Sequence, residues 1–77
     1  MKKQRWEARE FLKNASRKKY EAAVFEAHLT PMQEEVLHCC IPMGMTVCKA
    51  AMVLHCSEAT IKKTLGIAYD KISRVLS

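Results

Sequence analysis

Seventy-seven residues make one small domain. At 49% hydrophobic and 27% charged, with two Gly and two Pro, the chain is not collagen-like, low-complexity or wholly disordered. So short a chain leaves little room for an enzyme pocket, so catalysis is not expected, while the formal charge of +5 points to an anionic partner such as nucleic acid or an acidic protein surface.

The charge is unevenly placed. Residues 1–28 hold eight basic and four acidic side chains, and residues 29–77 hold five and four. The start, Met1-Lys2-Lys3-Gln4-Arg5, lacks the apolar run of a secretory signal. No segment approaches the ~20 apolar residues of a membrane span. A cytoplasmic chain without membrane contact is therefore expected, with Cys39, Cys40, Cys48 and Cys56 as reduced thiols.

Residues 1–28 contain no Gly or Pro and read as one long basic helix, bent near Asn14-Ala15-Ser16, with a break into two shorter helices there as the alternative. Ala8, Phe11, Leu12, Ala15, Ala22 and Ala23 share one side of a 3.6-residue wheel, interrupted by Lys19, with Trp6, Tyr20 and Val24 on a flank. Ser16 is a poor start signal on this reading, because Arg17, Lys18 and Lys19 would oppose the helix dipole. Lys2, Lys3, Arg5, Arg9, Lys13, Arg17, Lys18 and Lys19 are either phosphate contacts or a plain solvated face. If this helix does not fold back over the rest, Trp6 and Phe11 are exposed and form a homodimer or partner surface.

A boundary follows at Leu29. Thr30 can cap, Pro31 suits a first helical position, and Gln33 completes a capping box. That helix presents Val36, Leu37, Cys40 and Ile41 on one face, until Pro42 and Gly44 end it. Thr46 caps a short helix running to about Leu54, with Val47, Ala50, Ala51 and Leu54 inward. After His55-Cys56, Ser57 caps a last helix whose inward stripe is Ile61, Leu65, Ala68, Ile72 and Leu76. No strand pattern appears. The expectation is an all-α helix-turn-helix bundle of four or five helices, in two segments: a basic N-terminal helix over 1–28 and a DNA-binding unit over 29–77.

Two short helices joined by a tight turn, the second longer and Ser-capped, form the order of a helix-turn-helix. Its second helix fits the ~12 Å major groove with N-terminal residues at base edges. Opposite the inward stripe lie Thr60, Lys63, Ile67 and Arg74, flanked by Lys62 and Thr64. Helix-start N–H groups behind Thr46 and Ser57 can meet phosphate oxygens. The candidate DNA-contacting residues are thus Thr46, Lys49, Ser57, Thr60, Lys62, Lys63, Thr64 and Ile67.

The run Leu29-Thr30-Pro31-Met32-Gln33-Glu34-Glu35-Val36-Leu37, then Gly44-Met45-Thr46, Ala51, Leu54, Ser57, Thr60-Ile61-Lys62 and Lys71-Ile72 resembles region 4 of bacterial sigma factors and the related LuxR/GerE-type regulators. The similarity covers Leu29 to about Arg74. Region 4 of the extracytoplasmic-function type takes this spacing without a gap, whereas the LuxR/GerE type requires an insertion near Pro42. The chain departs from both families at Val47-Cys48-Lys49, where they carry acidic residues, and in having no Arg before Arg74 in the last helix. The resemblance implies a small bacterial or phage regulator that binds double-stranded promoter DNA, with RNA polymerase as a further partner. A helix-turn-helix fold that binds a protein instead is the alternative, favoured by the near-neutral charge of residues 29–77.

His38, His55 and the four cysteines invite a zinc reading, but adjacent Cys39 and Cys40 diverge by about 100° on a helix and lack paired-ligand spacing. Cys40 and Cys56 are expected as small core hydrophobes, so no metal or cofactor is expected. Met32, Met43, Met45 and Met52 read as core or turn fillers.

Overall fold

The computed structural model describes the backbone of residues 2–76 and the side chains of residues 6–76. Within that range the chain forms five helices and no strand: α1 Lys2–Asn14, α2 Arg17–Ala27, α3 Pro31–Cys40, α4 Val47–Leu54 and α5 Glu58–Leu76. Helix α5 is the hub, and the other four all pack against it.

The single long N-terminal helix is not what forms. The chain breaks at Ala15-Ser16, and Ser16 caps α2, its hydroxyl accepting the Lys19 N–H at 3.3 Å. The dipole objection fails because Arg17, Lys18 and Lys19 are exposed and water screens them. Arg17 also pairs with Glu21 at 3.2 Å, one turn on. A straight helix over residues 1–28 would run about 40 Å, beyond the molecule's longest dimension of 32 Å. Breaking it lets both halves lie on α5.

Two apolar clusters result. The first joins Ala8 and Leu12 of α1, Ala23 and Val24 of α2 and Leu37 of α3 to Ala68, Tyr69 and Ile72 of α5. It therefore spans both the N-terminal segment and residues 29–77. The second joins Val36 and Cys39 of α3 to Ala50 and Ala51 of α4 and Ile61 of α5. Half-buried Leu65 touches both clusters and links them.

Several burial expectations change because of this arrangement. Cys39, not Cys40, is the buried thiol of α3; Cys40 and Cys56 are only half-buried at the edge of the second cluster. Ala22 faces solvent, while Val24 turns inward. Tyr69 joins the α5 stripe because α1 packs there, and Leu76 is left 41% exposed near the chain end. Of the methionines, Met45 packs against the core, but Met32, Met43 and Met52 are exposed. The N-terminal helices do fold back, which half-buries Phe11, yet Trp6 stays 60% exposed.

The capping box forms in full. Thr30 Oγ1 accepts the Gln33 N–H at 3.2 Å, and Gln33 Oε1 accepts the Thr30 N–H at 3.1 Å. The same Oε1 accepts Lys71 Nζ at 2.9 Å, tying the start of α3 to α5.

Tyr20 packs half-buried against the first cluster. Burial, with the nearby Glu34 carboxylate adding to it, pushes its phenol up from 10.0 to about 12. Burial raises Tyr69 as well, with the Arg9 guanidinium working against it. A raised phenol favours the folded chain fully below pH 10.0 and loses that contribution as the pH climbs to about 12. Partial solvent access holds the loss to on the order of 1–2 kcal/mol. Stability should thus decline between these pH values, and Tyr20→Phe should flatten the decline; equal slopes in denaturant titrations of the two proteins would remove this role.

Candidate nucleic-acid interface

The approach to α4 is a tight turn. Met43 N–H donates to the His38 carbonyl at 3.2 Å and Met45 N–H to the Cys39 carbonyl at 2.9 Å. Gly44 takes a φ of +68°, a left-handed conformation open to glycine without a side-chain penalty. Thr46 then caps α4, its hydroxyl accepting the Lys49 N–H at 3.2 Å.

Helix α4 ends at His55, whose φ of 56° is also left-handed. There the Cys56 N–H reaches back to the Ala51 carbonyl at 3.0 Å, closing the end of the helix. Ser57 Oγ accepts the Thr60 N–H at 3.1 Å, and the Ser57 and Thr60 hydroxyls lie 2.9 Å apart. Both helix starts therefore have one side-chain cap, beside further first-turn N–H groups that have no intrahelical acceptor. Fully buried Ala50 lets α4 and α5 approach closely around Ile61.

On this frame Thr46, Lys49, Ser57, Thr60, Lys62 and Lys63 are all exposed. Ile67 is 38% exposed, and Thr64 is half-buried on the flank. Thr60, Lys63 and Ile67 recur at three- and four-residue steps, so they share one outward stripe of α5. Lys71 follows Ile67 at four residues, but its ammonium is drawn aside to Gln33 of α3. Exposed Arg74 continues the stripe toward the C-terminal end of α5.

The described N-terminal basic residues are distributed over two helices. Arg9 and Lys13 of α1 line a cleft of about 400 Å³ together with Gly44, Thr46 and Val47 at the start of α4. Lys13 also lines a second cleft with Arg17 of α2, and Lys18 and Lys19 follow on the first turn of that helix. The side chains of Lys2, Lys3 and Arg5 lie outside the described residues. The sequence holds no signal for the meeting of α1 with Thr46, because more than thirty residues and three helix breaks separate them.

All four cysteines are free thiols. Burial, reinforced by neighbouring Cys39, pushes the Cys40 thiol upward and so disfavours its thiolate. Among the described residues, no group of three or more His, Cys, Asp or Glu side chains is gathered to hold a metal ion. Nor is any described helix long and apolar enough to cross a membrane. No family model, curated protein or solved structure matches this chain.

Proposed function

We propose that the chain is a small, non-catalytic transcription regulator that reads duplex DNA with α5 in the major groove. The observation that carries this reading is the outward stripe Thr60, Lys63 and Ile67, flanked by exposed Lys62, on a helix whose opposite side is locked by Ile61 into the α3–α4 frame. Lys62 and Lys63 supply charge to phosphates or donors to guanine, Thr60 and Thr64 supply hydroxyls, and Ile67 offers an apolar contact for a thymine methyl. Thr46, Lys49 and Ser57 hold the flanking backbone at the two helix starts. The resemblance to sigma region 4 and LuxR/GerE-type domains supports the same assignment, with a bacterial or phage cytoplasm as its setting and RNA polymerase as a neighbouring partner.

A second reading keeps the fold and replaces DNA by a protein partner such as polymerase or another regulator. It is favoured by the near balance of charge over residues 29–77, five basic against four acidic. Selection of bound duplexes from a random library at two salt concentrations separates the two. The DNA reading expects one enriched motif whose retention falls steeply with salt. Negligible retention at the lower salt overturns it and leaves the protein partner.

A further inference from the structure

The two aromatic side chains that the fold leaves most exposed lie on surfaces of opposite charge. Trp6 of α1 is 60% exposed and Phe25 of α2 is 79% exposed. Arg9 and Lys13 follow Trp6 at three and seven residues, so all three share one outward face of α1. Glu10 adjoins that face, but its carboxylate lies 3.7 Å from Arg9 and is partly neutralised by it. Arg9 is also engaged by Tyr69 of α5, so Lys13 supplies the cation beside Trp6 on this face.

Phe25 borders a groove of about 650 Å³ between α2, α3 and the end of α4. Val24 and Leu54 contribute to its apolar wall, and Glu21, Glu34 and Glu35 set carboxylates along it. Glu21 shares its charge with Arg17 at 3.2 Å, whereas Glu34 and Glu35 are exposed with no basic neighbour on their own helix beyond His38. An acidic apolar groove repels DNA phosphates and suits a cationic surface with a large apolar side chain.

We infer that the occupant of this groove is a second copy of the chain, which presents Trp6 and Lys13 of its α1 to Phe25 and the glutamates. Each copy carries both halves, so a two-fold pair satisfies two grooves at once with the same contacts repeated. Such a dimer buries about 800 Å² per partner, a modest share of the 5370 Å² that one chain exposes. The groove shares no residue with the outward stripe of α5, whereas Lys13 also lines the cleft at Thr46.

Trp6 is the only tryptophan, so its emission reports on this contact directly. Sedimentation and tryptophan emission of the full chain, followed together from low to high micromolar concentration, should show a monomer–dimer transition with a blue shift. Phe25→Ser removes no core contact, since the ring is largely solvent-exposed, and should weaken association by about thirtyfold or more. Glu35→Lys and Lys13→Glu should each abolish pairing alone, and an equal mixture of the two variants should restore it. A chain that stays monomeric with unshifted emission overturns the inference and leaves the groove to a different basic protein. So does a dimer indifferent to Phe25→Ser and Glu35→Lys.

Discussion

Ile61→Ala lowers the unfolding free energy by about 2–5 kcal/mol, the range for removing a buried Ile from a packed core. Ile61 has no exposed surface and sits where α3, α4 and α5 meet, among Val36, Cys39, Ala50 and Ala51. Its neighbours are small or β-branched and held in helices, so they have little freedom to close the cavity. A domain of this size has a total stability of about 4–12 kcal/mol, so the change removes a large share of it. Thermal or urea unfolding followed by far-UV circular dichroism checks the value. Leu76→Ala, at a side chain 41% exposed, serves as the control and should stay within about 0.5 kcal/mol. A loss below about 1 kcal/mol for Ile61→Ala means that the α4–α5 frame does not depend on this contact.

Lys63→Ala should weaken DNA binding by about ten- to a hundredfold at low salt, as removal of a charge-assisted hydrogen bond does. Lys63 is exposed on the outward stripe of α5, between Thr60 and Ile67. If the ammonium meets a phosphate, the variant also lowers the slope of log K against log salt by about 0.9 and weakens all sequences alike. If it meets a base edge, the slope changes less and selectivity relaxes at one position. Lys62→Ala, on the flank, should show the phosphate pattern. Neither substitution should alter the unfolding midpoint, because both side chains stand in solvent. Unchanged affinity and unchanged selectivity in the Lys62→Ala, Lys63→Ala double variant would remove α5 from the interface.

Ile61 and Lys63 are near neighbours in the chain with opposite expected effects, because the 3.6-residue period sends the first inward and the second outward. That division is legible in the sequence alone. So are the starts of α3, α4 and α5. Thr30 with Pro31 and Gln33, Thr46 with the Lys49 N–H, and Ser57 with the Thr60 N–H each form a hydrogen bond across three residues. Such bonds depend only on local identity and spacing, so a stretch of four residues carries the whole signal.

Ser16 makes the same kind of bond, yet its neighbourhood hides it, because the local run of Arg17, Lys18 and Lys19 argues against a helix start. The break lets α1 and α2 each pack on α5, a helix about forty residues later, and that burial is invisible in the local run. The exchange of Cys40 for Cys39 and the recruitment of Tyr69 have the same origin. Both follow from where α1 and α4 press on α3 and α5.

Surface chemistry divides along the same line. Exposure of Thr46, Lys49, Ser57, Thr60, Lys62, Lys63 and Ile67 follows from helix period and capping, which are properties of the local chain. The acidic groove at Phe25 and the cleft joining Arg9 and Lys13 to Thr46 belong to no local stretch. Each requires side chains from helices distant in sequence, and long-range packing alone brings their charges together.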